Sequence, residues 1–132
     1  MHKVMLAALL LASSALAQSA GPTGDWRLYR IGSVKRTTLV ERASAPTLRF
    51  ENGRVLGTTG CNSYFGAVTV RGKSVSIGAL SSTRRACANK VLNTLEGRYL
   101  RSLGRVQAYG LSGPVLTLLT SDGDILAFRQ GR

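Results

Sequence analysis

The chain has 132 residues, with 18 Lys and Arg against six Asp and Glu and a formal net charge of +12. That length supports one small domain with a single core. With one histidine, at position 2, and two cysteines, it leaves almost nothing for histidine-ligated zinc or for Ser-His-Asp and Cys-His catalysis. An excess of bases this large suits anionic surroundings: lipid headgroups, acidic polysaccharide, nucleic acid or an acidic protein.

At the amino terminus Lys3 gives a short positive region and residues 4–12 an apolar run. Ala15-Leu16-Ala17 then supplies the small-x-small pattern of a cleavable leader, with Gln18 as the new terminus. The run is too short for a spanning helix, which needs roughly twenty apolar residues, and no cysteine follows it to be lipidated. Residues 1–17 therefore read as a signal peptide, residues 18–25 as a flexible lead-in and residues 26–132 as the domain, in a periplasmic or secreted protein. Cleavage removes His2 with the leader. Cys61 and Cys87 would then meet oxidising conditions, and two cysteines have one possible pairing. A bridge would stabilise the fold by on the order of 3.5 kcal/mol. Spacing alone does not bring the two Cα atoms within reach, so a bridged and a free pair both stay open.

Trp26-Arg27-Leu28-Tyr29-Arg30-Ile31 alternates large apolar with basic residues, the pattern of a half-buried strand. Residues 34–36 and 39–40 are short edge pieces, and Pro46 closes that polar stretch. Residues 47–50 and 54–58 flank Asn52-Gly53, the strongest short hairpin signal, because both central positions of a type I′ turn need positive φ. The second of these strands leads into Gly57-Thr58-Thr59-Gly60-Cys61-Asn62-Ser63-Tyr64-Phe65-Gly66, which reads as a sharp change of direction between strands. It is not a phosphate loop, since its glycines are not spaced G-x-G-x-x-G and no Lys-Ser/Thr follows. Residues 67–71 and 74–77 make a second hairpin around Gly72, with Val68, Val70, Val75 and Ile77 inward.

From Asn89 to Leu103 the period becomes helical. Val91, Leu92, Leu95, Tyr99 and Leu103 share a face, Asn89 is suited to the N-cap and Gly104 to the position just past the end. Residues 106–111, 115–120 and 125–129 are further strands, joined by turns at Ser112-Gly113-Pro114 and Asp122-Gly123. Strands, one helix and more strands give an α+β fold with an antiparallel sheet.

Three segments in this order resemble the META domain, the family of the bacterial heat-shock protein HslJ. They are Gly60-Cys61-Asn62-Ser63-Tyr64-Phe65-Gly66, Ser82-Thr83-Arg84-Arg85-Ala86-Cys87 and Glu96-Gly97-Arg98-Tyr99-Leu100. Leu126-Ala127-Phe128 matches the terminal strand, and Gly24-Asp25-Trp26-Arg27-Leu28 the first. The expected fold is therefore α+β: an antiparallel, strongly curved, partly barrel-like sheet with one main helix inserted after the first group of strands. The resemblance also implies an exported or envelope-associated domain linked to stress responses. It supplies no enzymatic activity, cofactor or metal. Two positions depart from the family pattern. Arg85 stands where an apolar residue, commonly Met, is usual, and Thr59 where a small residue is commoner.

The carboxylates Asp25, Glu41, Glu51, Glu96, Asp122 and Asp124 offer a hydrolase only if folding pairs them, and Asp122 and Asp124 flank a turn, where Asp is a turn-former first. A thiolate at Cys61 would lack a base. Binding has more room. Gly60, Cys61, Asn62, Tyr64, Gly66, Thr83, Arg84 and Arg85 form the candidate site, and a bridge from Cys61 to Cys87 would bring the two guanidiniums near Asn62 and Tyr64. Arginine suits carboxylate and phosphate, so the candidate partner is an anionic envelope component or an envelope protein. Lys90, Arg98 and Arg101 would extend that basic face. Nucleic acid fits less well, because the aromatics fall at core positions and export removes the usual partner. The alternative is architectural: the loop holds the fold and Arg84 packs locally.

Overall fold

The computed structural model describes residues 21–131. The leader, the cleavage pair Ala17 and Gln18, and residues 18–20 of the lead-in lie outside the described residues. The elements in order are β1 (Asp25–Ser33), β2 (Arg36–Leu39), a 3-10 turn (Arg42–Ser44), β3 (Thr47–Glu51), β4 (Arg54–Thr58), β5 (Ser63–Arg71), β6 (Ser74–Ile77), β7 (Ser81–Ser82), α1 (Lys90–Leu103), β8 (Val106–Ser112), β9 (Val115–Thr120) and β10 (Asp124–Gln130). Neighbouring strands pair antiparallel in the order β1-β3-β4-β5-β6-β8-β9-β10, and β10 pairs back with β1, so the sheet closes into a barrel. β2 hangs on the second half of β1, and β7 on the first part of β5. The α+β, curved, barrel-like architecture with one inserted helix is the one the sequence predicts.

Closure leaves one thin seam. β6 and β8 share a single residue pair, Ser74 with Ala108, beside a bond from Tyr109 N to Lys73 O of 3.0 Å. α1 is the connection that crosses from one side of this seam to the other. It lays Tyr99, Ser102 and Leu103 into the core, where Leu28, Leu48, Val55, Leu116, Leu118, Leu126 and Phe128 are also shut off from solvent. Alternation places these residues: Leu116, Leu118 and Thr120 of β9 face in while Leu119 faces out.

Four local features differ from the simple patterns. In β1 the pairing with β10 slips between Leu28 and Arg30. This bulge at Tyr29 resets the phase, so Ile31 is buried with Trp26 and Leu28, although strict alternation would turn it outward. Val34 and Lys35 form the turn of the β1–β2 hairpin rather than an edge piece, and β2 is residues 36–39. Asn89 caps α1 as expected, its side chain accepting from Leu92 N, but Gly104 sits at φ −67, an ordinary helical value that asks nothing special of glycine. Val91, expected on the inward face, is 75% exposed and lines a groove between α1 and β2. The Asn52-Gly53 turn has the positive φ at both positions, 50 and 73, that type I′ requires. Of the lead-in, Pro22 is buried and Gly21 lies against Phe50 and Val70.

Candidate functional site

The glycine-rich stretch is mostly strand. β4 runs to Thr58 and β5 starts at Ser63, leaving residues 59–62 as the turn. Thr59 closes it. Its hydroxyl accepts from Asn62 N at 2.8 Å and from Cys61 N at 3.3 Å, and its own N–H donates to Asn62 O at 2.7 Å. Gly60 has φ +91, and a Cβ there would collide with the Ser44 carbonyl. Both backbone angle and space therefore demand glycine. Gly66 lies in β5 under the Leu80 side chain, where a Cβ would come within 2.8 Å of Leu80 Cδ2.

Asn62 is the hub. Its side-chain oxygen accepts from Thr83 Oγ1 at 2.9 Å and from Arg85 N at 2.8 Å. Its amide nitrogen donates to Arg85 O at 3.0 Å and to the Glu96 carboxylate at 2.9 and 3.0 Å. An amide offers two donors and two acceptor lone pairs, and all are used here. The residue is 3% exposed, so each of these bonds replaces one that water would have made. A second rung lies two residues along the strand. Tyr64 donates its hydroxyl to Thr47 O at 2.6 Å, and Tyr99 bonds the Tyr64 oxygen at 2.6 Å, their rings meeting edge to face at 5.6 Å. Burial holds both phenols well above their usual range and so keeps them protonated. In Tyr64 the bond from Tyr99 opposes this weakly, and in Tyr99 the proximity of Tyr64 adds to it.

Cys61 and Cys87 are joined by a disulfide with Cα atoms 5.5 Å apart, which resolves the open pairing. The Glu96 Oε2 atom lies 2.9 Å from Cys87 Sγ. A disulfide sulfur has no proton to donate, so this is a contact and the carboxylate is held by Asn62. Cys61, Cys87 and Glu96 are also the residues whose ligand atoms lie within 4.8 Å of one another, as a metal would need. Bridged sulfurs are not thiolates, and with the disulfide formed the set is not a metal centre.

The structure thus brings Gly60, Cys61, Asn62, Tyr64, Thr83 and the backbone of Arg85 into one cluster. The side chains of Arg84 and Arg85 stay outside it, exposed, with no ion pair or hydrogen bond to other described residues. Nor do the helix bases join them in one face. Lys90 and Arg98 line a groove against β2, while Arg101 lines a separate cleft beside Leu80 and Gly104. Among the other acids, Asp25 pairs with Arg49 at 2.6 Å and Asp122 with Arg105 at 2.8 Å. A bond from Thr120, ahead of Arg105, holds Asp122 below the usual carboxylate range.

Thr47, Thr59, Glu96 and Tyr99 were not among the expected site residues. Two spacings carry the signal for the last two. Asn62, just ahead of β5, and Tyr64 sit at i and i+2 and are buried on the same side, and Glu96 and Tyr99 sit at i and i+3, one face of a helix. A strand face and a helix face with matching polar steps can bond rung to rung.

A closed antiparallel barrel, capped by one helix and clasped to it through a disulfide-tied asparagine turn, is the class of protein these features define. The chain matches the META domain over residues 18–132 and belongs to that family. Among solved structures it resembles an NMR structure of a protein from Burkholderia xenovorans, with 24% identity, TM-score 0.69, and 82% of this chain against 81% of that one. A crystal structure of a DUF4847 family protein from Bacteroides vulgatus is similar at 14% identity and TM-score 0.59, covering 83% and 93%. At these identities the likeness is one of fold. No curated protein matches the chain.

Proposed function

We propose that this META domain is an exported, non-catalytic protein with an architectural or stress-related role at the cell envelope. The observation that carries the reading is the complete use of Asn62. The side chains of Asn62, Tyr64 and Thr83 spend their polar atoms on one another, on neighbouring backbone and on α1, and so have none left to present to a substrate. The leader pattern and the disulfide support export, since a bridge persists where conditions oxidise. The family match begins at residue 18, the terminus that cleavage after Ala17 would create. Intact-mass measurement on protein recovered from a periplasmic extract without reductant tests this. The expected mass is that of residues 18–132 less two hydrogens, and an unprocessed chain or two free thiols would overturn it.

A second reading is favoured by the exposure of Arg84 and Arg85. Asn62 fixes the Arg85 backbone from both sides, at N and at O, and presents two unpartnered guanidiniums on a rigid turn. Such a pair suits an anionic envelope component. The double substitution Arg84→Glu, Arg85→Glu leaves the clasp intact, because Asn62 grips backbone there. It should abolish association with anionic envelope material; unchanged association would remove this reading.

A further inference from the structure

We propose that the groove between β2 and α1 is a docking site for an extended acidic peptide, which adds to β2 as a further strand. β2 lies off the closed path of the barrel and, among the described residues, bonds only to β1; the other such strand, β7, has two residues. Val40 N donates to Tyr29 O at 2.9 Å. Because an antiparallel ladder alternates, the N–H and C=O of Leu39 and Thr37 point away from β1. Leu39 borders a groove of about 450 Å³ whose opposite wall is α1, with Val91, Leu95 and Arg98. The two large apolar side chains at its mouth are bare, Leu39 being 67% exposed and Val91 75%. A strand edge facing a helix across an apolar groove is the geometry in which peptides bind by strand addition. Main-chain bonds give affinity there and alternate side chains fill the groove.

Charge selects the occupant. Lys90 and Arg98 on the helix wall face a single acid, Glu41, and Lys35 and Arg36 lie at the hairpin end of β2. Exposed edges are commonly guarded against self-pairing by such bases. Two copies set edge to edge would oppose like charges, on a chain of net charge +12. An acidic strand meets the same bases as partners. This surface uses neither Arg84 nor Arg85, so its failure would leave the readings above standing.

The test uses the folded protein and a fluorescein-labelled, end-capped octapeptide of alternating valine and aspartate, followed by anisotropy. An octapeptide of alternating valine and lysine is the control. Leu39→Pro removes one outward N–H and leaves the ladder to β1, which Thr38 and Val40 carry. It should weaken the acidic peptide at least tenfold. Lys90→Glu with Arg98→Glu should weaken it by a similar factor and reverse the preference between the two peptides. This pair keeps the test decisive if Leu39→Pro lowers the unfolding midpoint. Equal binding of both peptides by the unaltered protein, or undiminished binding by both variants, would overturn the proposal. So would a concentration-dependent dimer abolished by Leu39→Pro, which would assign the groove to a second copy. Binding to phosphatidylglycerol vesicles that Leu39→Pro leaves unchanged, with no peptide binding, would assign it to an amphiphile and overturn the proposal equally.

Discussion

Two faces of α1 meet the barrel on opposite terms. Where Glu96 and Tyr99 face β5, every polar group is matched: Asn62 holds Glu96, Tyr64 holds Tyr99, and the disulfide ties the turn to the segment before the helix. Where Val91 faces β2, apolar surface lies bare and a strand edge keeps its outward donors and acceptors. The buried side chains of the motif therefore have the least capacity left over, and the groove, which has capacity, carries no motif. A satisfied network is stiff and specific but has nothing to offer a ligand. An unsatisfied edge contributes little to the fold and can bind.

The largest effect should come from the covalent tie. Replacing Cys61 and Cys87 by serine should lower stability by about 3.5 kcal/mol in urea unfolding, from chain entropy alone. A change below about 1 kcal/mol would mean that the clasp stands without its bridge. Next come the phenols. Tyr99→Phe should cost about 1 kcal/mol, since it removes one buried hydrogen bond and leaves Tyr64 donating to Thr47. Because burial raises both phenols above the unfolded value of about 10, their contribution is whole below that pH. It falls away as pH rises beyond it and the unfolded chain ionises first. Urea titrations at pH 8 and pH 11 should show that loss, and a smaller one in Tyr99→Phe. The smallest effect belongs to the groove. Val91→Lys should change stability by less than about 0.5 kcal/mol, as for surface substitutions generally. A loss above about 2 kcal/mol would place Val91 in the core and erase the contrast.

Most of the fold was legible because hairpins and an amphipathic helix write themselves locally. Asn52-Gly53, the alternation of β9 and the Asn89 cap each need only near neighbours. What was not legible depends on partners distant in the chain. The bulge at Tyr29 is set by pairing with β10, about a hundred residues on, and only that pairing explains why Ile31 is inside. Val91 has the right helical phase for the core, but nothing local says that its side of the helix is left uncovered. At the site, the turn, the two cysteines and Thr83 could be named from sequence. The role of Asn62 could not, because its partners Arg85 and Glu96 lie 23 and 34 residues away. Arg84 and Arg85 stood out as charges, whereas the clasp uses only Arg85 backbone, which any residue but proline would supply.

The motif asparagine holds the fold together. Asn62→Asp keeps the shape and both acceptor bonds, and sets an oxygen where the amide donated to Arg85 O and Glu96. Urea unfolding near neutral pH should show a loss of about 3 kcal/mol with the native spectrum retained in the absence of urea, since a buried carboxylate then opposes another without a donor between them. Unchanged stability would contradict the account, because Asn62 would then have been free for another use.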